Sequence, residues 1–257
     1  MNRLQGKIAI ITGVSRSKGI GSAIARALAA EGADIFFTYW CKYDGNQPYG
    51  AQPEWPDVFG EELRLGGVRA ESMELDLSDA QAPQLLLKEV ERRLGRPHIL
   101  VNNATHCEEV GFRSLTADIL NAHCSVNIVG TCMLSAEFAK RLEAEGGGRI
   151  INLISGQDKG PMPGNLAYVA TKGAISAFTR SLSAELAPYK ITVNAVDPGP
   201  TDSGGMDDEL KRLLLPKFPM GRIGLPSDVA KLIGFLASDE AEWITGQLIH
   251  SDGGYWD

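Results

Sequence analysis

The sequence predicts an α/β fold, a single doubly wound parallel sheet with helices on both faces. Three observations point to it. Short runs rich in β-branched residues alternate with longer segments of helical periodicity, as in βαβ units. The runs are nearly continuous in apolar residues, which suits strands covered on both faces, and a glycine-rich turn stands between the first strand and the first helix. Handedness and connection rules then put ligands at the carboxyl ends of the strands.

The elements follow in chain order. Ile8 to Thr12 reads as a strand, Ile20 to Glu31 as a helix, Asp34 to Tyr39 and Ala70 to Leu75 as strands, Ala82 to Leu94 as a helix and Ile99 to Val101 as a strand. A long helix over Thr116 to Ala144 comes next, then strand Arg149 to Ile154, helix Asn165 to Ala187 and strand Thr192 to Val196. A helix from Ser227 to Ala237 and a strand from Gln247 to His250 complete the alternation. Between Trp40 and Pro56, Gly45, Pro48, Gly50, Pro53 and Pro56 are mixed with Tyr43, Tyr49 and Trp55, which reads as a solvent-exposed ordered loop, with a flap or a subunit contact as the alternatives. No linker divides the chain, so one domain over residues 1–257 is expected, cofactor-binding over about 1–110 and catalytic over about 111–257.

Composition narrows the function classes. A formal charge of −7, with no run of Lys or Arg longer than two, argues against nucleic-acid binding. Residues 1–5 run straight into an apolar strand, too short a stretch for a signal-peptide core or a membrane span, so a cytoplasmic protein is expected. Cys41, Cys107, Cys124 and Cys132 form no Cys-x-x-Cys pair and the four histidines show no ligand spacing, so no metal is expected. His106-Cys107 reads as an ordinary loop after a strand.

The chemistry concentrates at strand ends. Tyr168 and Lys172 are four residues apart on a helix, hence on one face, where a fixed ammonium can lower the pKa of a phenol from about 10 and let it exchange protons near neutrality. Ser155 ends a strand thirteen residues earlier. The turn Thr12-Gly13-Val14-Ser15-Arg16-Ser17-Lys18-Gly19-Ile20-Gly21 lets a diphosphate approach backbone N–H groups at a helix N-terminus. Taken singly, each position has an ordinary structural reading, such as a packed tyrosine beside a solvated amine, and the joint order and spacing favour catalysis.

With these residues in place, the chain resembles the short-chain dehydrogenase/reductase family over almost its whole length. The matching segments are Thr12 to Gly21, Asn102 to Ala104, Asn127, Ser155, Tyr168 with Lys172, and Pro198-Gly199. There are two departures. Five residues separate Gly13 from Gly19, two more than the family pattern carries, and Thr105 stands where a glycine usually follows Asn-Asn-Ala. The resemblance implies a Rossmann fold in which Tyr168 is general acid or base, Lys172 binds the nicotinamide ribose, Ser155 holds the substrate oxygen and Asn127 positions a water. It further implies cofactor contacts from Gly13, Ser15, Gly19, Ile20, Gly21, Leu77, Asn103 and Ala104. Asp76 is expected at the adenine, Ile154, Pro198 and Gly199 along the nicotinamide, and Thr201 at its carboxamide.

NAD-specific members carry an acid at the end of the second strand, where Tyr39 stands here. Arg16 and Lys18, with Lys42 as a further candidate, could instead neutralise a 2′-phosphate, so NADP(H) is expected as cofactor. The expected reaction interconverts a carbonyl and a secondary alcohol on a small-molecule substrate. A narrower alternative is 3-oxoacyl-(acyl-carrier-protein) reduction, suggested by Ile244-Thr245-Gly246-Gln247 through Asp252-Gly253-Gly254, although Ala184 stands before Glu185 where many such enzymes have a basic residue. An alternative of another class is a non-catalytic nicotinamide-nucleotide sensor, against which the retained catalytic set argues. The family resemblance also implies a homotetramer, and the loops Gln157 to Asn165 and Pro200 to Pro219 are expected to determine the substrate.

Overall fold

The computed structural model describes residues 2–47 and 49–256. Its strands are β1 (Ile8–Ile11), β2 (Asp34–Tyr39), β3 (Ala70–Glu74), β4 (Ile99–Asn102), β5 (Gly148–Leu153), β6 (Ile191–Asp197) and β7 (Leu248–His250). All run parallel in one seven-stranded sheet of order β3-β2-β1-β4-β5-β6-β7. The order reverses between β1 and β4, so a crevice opens at their carboxyl ends. Register then aligns the chemistry, with Ile11 beside both Phe37 and Val101, and Asn102 beside Asn152.

The helices are α1 (Ile20–Ala30), α2 (Cys41–Gly45), α3 (Trp55–Leu65), α4 (Ala82–Arg93), α5 (Ala117–His123), α6 (Thr131–Leu142), α7 (Leu166–Leu186), α8 (Asp208–Leu214) and α9 (Pro226–Ala237). Successive strand residues point to opposite faces. Ala9, Ile11, Ile35 and Phe37 therefore join Ile24 and Leu28 of α1, Phe59 of α3, and Ile233 and Leu236 of α9 in one apolar layer. Ile8, Ile10, Phe36 and Leu100 meet Leu86 and Val90 of α4, Leu134 and Phe138 of α6, and Leu182 of α7 in the other. Burial of each large side chain stabilises the fold by about 1.5–3 kcal/mol.

Three sequence expectations are corrected. The helix expected over Thr116 to Ala144 is interrupted, because Cys124–Gly130 forms a π turn between α5 and α6. The run Ala117–Leu142 is long and apolar enough to cross a membrane by composition alone, yet here Leu134, Phe138 and Leu142 sit wholly in the core. The Trp40–Pro56 segment is not simply an exposed loop: it contains α2 and leads into α3. Pro56 lies in the first turn of α3, where a missing N–H has no consequence, and Trp55 stacks on buried Phe59 with ring centroids 4.9 Å apart. Helix α8, inside the expected substrate loop, also escaped the sequence pattern because all of its residues are at least partly exposed.

Candidate active site

Two asparagines tie the glycine turn to β4. The Thr12 hydroxyl accepts from the backbone N–H groups of Asn103 (3.1 Å) and Ala104 (3.0 Å), and Asn103 Nδ2 donates to the Thr12 and Gly13 carbonyls at 2.8 and 3.0 Å. Gly13 has φ +74°, and a Cβ there would lie 2.7 Å from the Ala104 backbone, so only glycine fits. Asn102 donates to Asn152 at 2.8 Å, joining the ends of β4 and β5 beneath the site.

The two-residue expansion folds back on itself. The Arg16 carbonyl accepts from Gly19 N–H at 3.1 Å and from the Ser22 hydroxyl, and the Ser15 hydroxyl accepts from Trp40 N–H at 3.4 Å. The Arg16 guanidinium lies over the Tyr49 ring, 3.8 Å from its centroid. Lys18 goes elsewhere: its stem covers Gly204, and it lines a neighbouring groove with Asp202, Lys211 and Lys231. The structure therefore separates Lys18 from Arg16.

A cleft of about 630 Å³ runs along the strand ends. It is lined by Gly13, Ser15, Arg16, Gly19, Ile20, Gly21, Tyr39, Asp76, Leu77, Asn103, Ala104, Ile154, Tyr168, Lys172 and Pro198, together with Lys42. Gly199 and Thr201 lie just beyond Pro198 without lining the cleft: Gly199 N–H donates to Asp197 at 2.8 Å, and the Thr201 hydroxyl donates to the Pro198 carbonyl at 3.0 Å. Asp76 uses one carboxylate oxygen for a local turn, accepting from the Ser78 N–H at 2.9 Å and hydroxyl at 2.7 Å.

At the reacting end, Ser155 hydrogen-bonds the Tyr168 phenol, and Lys172 Nζ lies 5.5 Å from the Tyr168 ring centroid. Lys172 donates to the Leu153 carbonyl at 2.8 Å and is only 4 % exposed. Burial pushes its ammonium down to about 8, partly offset by the Cys107 thiol. Tyr168 goes the other way. Burial drives its phenol well above the ordinary value, Cys107 and Asp197 add to the rise, and the Ser155 hydrogen bond opposes it. The expectation that the lysine lowers the tyrosine's pKa is thus reversed, because stripping water from a phenolate outweighs the attraction available.

Asn127 is buried in the π turn, a feature frequent at functional sites. Its Oδ1 accepts from His106 N–H (2.7 Å) and the Thr105 hydroxyl (3.2 Å), and its Nδ2 donates to the His106 carbonyl (2.9 Å) and Thr171 (3.0 Å). Thr105, the departure from glycine, therefore directs its hydroxyl to Asn127. His106-Cys107 is more than an ordinary loop: His106 lines the cleft and packs edge-on against buried His123 with centroids 4.6 Å apart.

Sequence reasoning missed Tyr43, Asp44 and Tyr49 as cleft residues. Tyr43 Oη accepts from the Cys107 N–H at 3.0 Å and donates to the Cys107 carbonyl at 3.3 Å, across 64 positions of chain. Only the run of aromatics in the Trp40–Pro56 segment hinted at this. A second omission is the cluster of Asp197, His250 and Asp252, whose ligating atoms lie within 4.8 Å of one another. The Lys159 ammonium already bonds Asp252 there.

Known proteins share this architecture. The family model described as Enoyl-(Acyl carrier protein) reductase matches residues 13–256. An uncharacterized oxidoreductase of Bacillus subtilis (strain 168) is 54% identical over 257 residues, covering 99% of each chain. A 3-oxoacyl-[acyl-carrier-protein] reductase of Staphylococcus aureus (strain Mu50 / ATCC 700699) is 34% identical, covering 97% of this chain and 98% of its own. Among solved structures, a short-chain dehydrogenase/reductase from Serratia marcescens BCRC 10948 superposes with TM-score 0.88 at 31% identity, over 99% of this chain and 100% of that one. A blue fluorescent protein from a metagenomic library, solved in complex with NADPH, gives TM-score 0.86 at 31% identity over 98% of both chains. The parallel sheet, the glycine turn at its switch point and these likenesses make the chain an oxidoreductase that belongs to the short-chain dehydrogenase/reductase family.

Proposed function

We propose that this protein is an NADP(H)-preferring reductase that interconverts a carbonyl compound and its secondary alcohol. The observation that carries the reading is the meeting of Ser155, Tyr168 and Lys172 at one end of a cleft whose other end is the glycine turn and Arg16. The turn suits a dinucleotide diphosphate. Helix α1 starts at Gly19 with no side-chain cap and no acid in its first turn, which leaves N–H groups and a favourable dipole for an anion.

Hydride is the chemistry a bound nicotinamide supplies; the chain's own residues do the rest. Tyr168, protonated at neutral pH because burial raises its pKa, acts as general acid toward the carbonyl oxygen. Ser155, hydrogen-bonded to the same phenol, holds that oxygen as negative charge develops on it. Lys172 uses one donor on Leu153 and keeps two for ribose hydroxyls. Asn127, with its side chain saturated, fixes residues 105–106, and the π turn around it is where a proton-relaying water would be held.

NADP(H) preference rests on Arg16. The Tyr49 face fixes its guanidinium beside the cleft, and no carboxylate stands at the end of β2, where Tyr39 is found. Buried Asp44 lies near Arg16, but burial pushes its carboxyl up, which weakens its repulsion of a phosphate. The NADPH in the metagenomic neighbour agrees with this reading. A homotetramer is supported by Val129 and Met133, large apolar residues left exposed along the Thr131–Leu142 helix and its π turn; a monomer mass by light scattering would reject it. A cytoplasmic location fits the family.

The test is NADPH oxidation across a carbonyl panel, with NADH alongside. The panel holds a 3-oxoacyl thioester, β-keto esters, diketones and sugars, and a 2-enoyl thioester serves as control. Turnover of a carbonyl that favours NADPH supports the proposal. Thioester preference would favour the second reading, carrier-protein chemistry, which the Staphylococcus aureus relative suggests. Tight nucleotide binding without turnover of any compound would favour a sensor.

A further inference from the structure

The ends of β6 and β7 carry a charge cluster that the reaction scheme above does not use. Asp197 and His250 are cross-strand partners, so their side chains leave the same face of the sheet. His250 Nδ1 lies 2.9 Å from Asp197 Oδ2, while its Nε2 lies 3.5 Å from Asp158 Oδ2. Asp197 is 2 % exposed, and its other oxygen accepts from Gly199 N–H at 2.8 Å. A Cβ on Gly156 would touch Asp197 Oδ2 at 3.4 Å, so the carboxylate sits directly under the segment that follows Ser155. Beside it, the Lys159 ammonium bonds both the Asp252 carboxylate and the Tyr255 carbonyl.

Each ring nitrogen of His250 thus faces a carboxylate oxygen. Carboxylates only accept, and a neutral imidazole has one N–H, so only the imidazolium can hold both partners. Asp158 belongs to the expected substrate loop, three residues beyond Ser155, whereas Asp197 immediately precedes Pro198 in the cleft wall.

We infer that His250 is a positioning residue: doubly protonated, it clamps the loop that carries Ser155 and Asp158 onto buried Asp197, and so holds the substrate-oxygen site against the cleft wall. The clamp closes when His250 gains its second proton and loosens when it loses it. The groups facing His250 are Asp197 from β6, Asp158 from the loop before α7, and the Asp252–Lys159 pair at its side. Loss of the second proton frees Asp158 first, because that contact is longer and more exposed. The loop's other ties, Ser155 N–H to Gln157 at 3.1 Å and Gln157 to Ser176 at 2.9 Å, keep it folded but leave residues 158–160 to the clamp.

The inference rests on the carbonyl-reductase reading for its effect on substrate, and the test separates the two. His250 protonation is followed by imidazole NMR, assigned with His250→Gln, while amide exchange of residues 156–160, corrected for intrinsic rate, is measured over the same pH series. In the wild type, exchange of this segment rises severalfold as His250 loses its second proton. In Asp158→Ala, a substitution at an exposed carboxylate, exchange is high throughout and independent of the His250 titration. Where a carbonyl is turned over, its KM rises about two- to fivefold across the same transition, with kcat and the cofactor KM little changed. Exchange that ignores the His250 titration, or an Asp158→Ala profile matching wild type, overturns the clamp whether or not any carbonyl is reduced. Absence of turnover with the exchange transition intact counts against the reductase reading alone.

Discussion

Replacing Lys172 with methionine should stabilise the protein at neutral pH even as it destroys the site. Lys172 is 4 % exposed, and burial lowers its pKa from 10.5 to about 8. Between those values the unfolded chain binds a proton that the folded chain does not, so stability rises as pH increases from about 8 toward 10.5. A depression of this size makes keeping the charged form at pH 7 cost about 3 kcal/mol, falling to about 1 kcal/mol by pH 10. Methionine removes that term but leaves the Leu153 carbonyl without its donor, a loss of about 1 kcal/mol that does not change with pH. The expected gain is therefore about 2 kcal/mol at pH 7, vanishing near pH 10. Urea unfolding of both proteins at pH 7, 8, 9 and 10 measures the difference, in which other titrating groups cancel. A stability difference that stays flat over this range would refute the argument.

Three further outcomes follow from the site. Tyr168→Phe should lower kcat by about 10²–10⁴-fold with NADPH affinity nearly intact, and stopped-flow binding set beside steady-state rates checks both. Arg16→Ala should raise the NADPH Michaelis constant about tenfold while leaving that of NADH close to wild type, because one charge-assisted contact is lost; equal changes for the two cofactors would dismiss Arg16 as the phosphate ligand. Tyr43→Phe should lower stability by about 1–2 kcal/mol, since the Cys107 N–H and carbonyl both lose their partner, and a denaturation midpoint shift with unchanged slope reports it.

What was legible in the sequence depended on distance along the chain. Tyr168 and Lys172 could be read together because a single helix sets their spacing, and Gly13 and Gly21 because one turn does. Asp197 and His250 could not, since only the β6–β7 register puts residues 53 positions apart side by side. Lys18 and Arg16 looked equivalent in sequence, yet the fold-back at the Arg16 carbonyl sends them to different grooves. The Pro53–Pro56 stretch read as loop because proline in the first turn of a helix looks the same as proline in a turn until the following apolar face is traced. Burial decided the direction of the Tyr168 pKa, and spacing carries no information about burial.

The π turn at Cys124–Gly130 also sets rotational phase. One residue added to an α-helical winding advances everything after it by about 100°. Leu134, Phe138 and Leu142 face the core because that advance has already occurred upstream of them. The bulge that holds Asn127 beside Thr171 is therefore also what aims the following helix, so smoothing it into regular helix would swing three buried side chains toward water and misplace the asparagine in the same stroke.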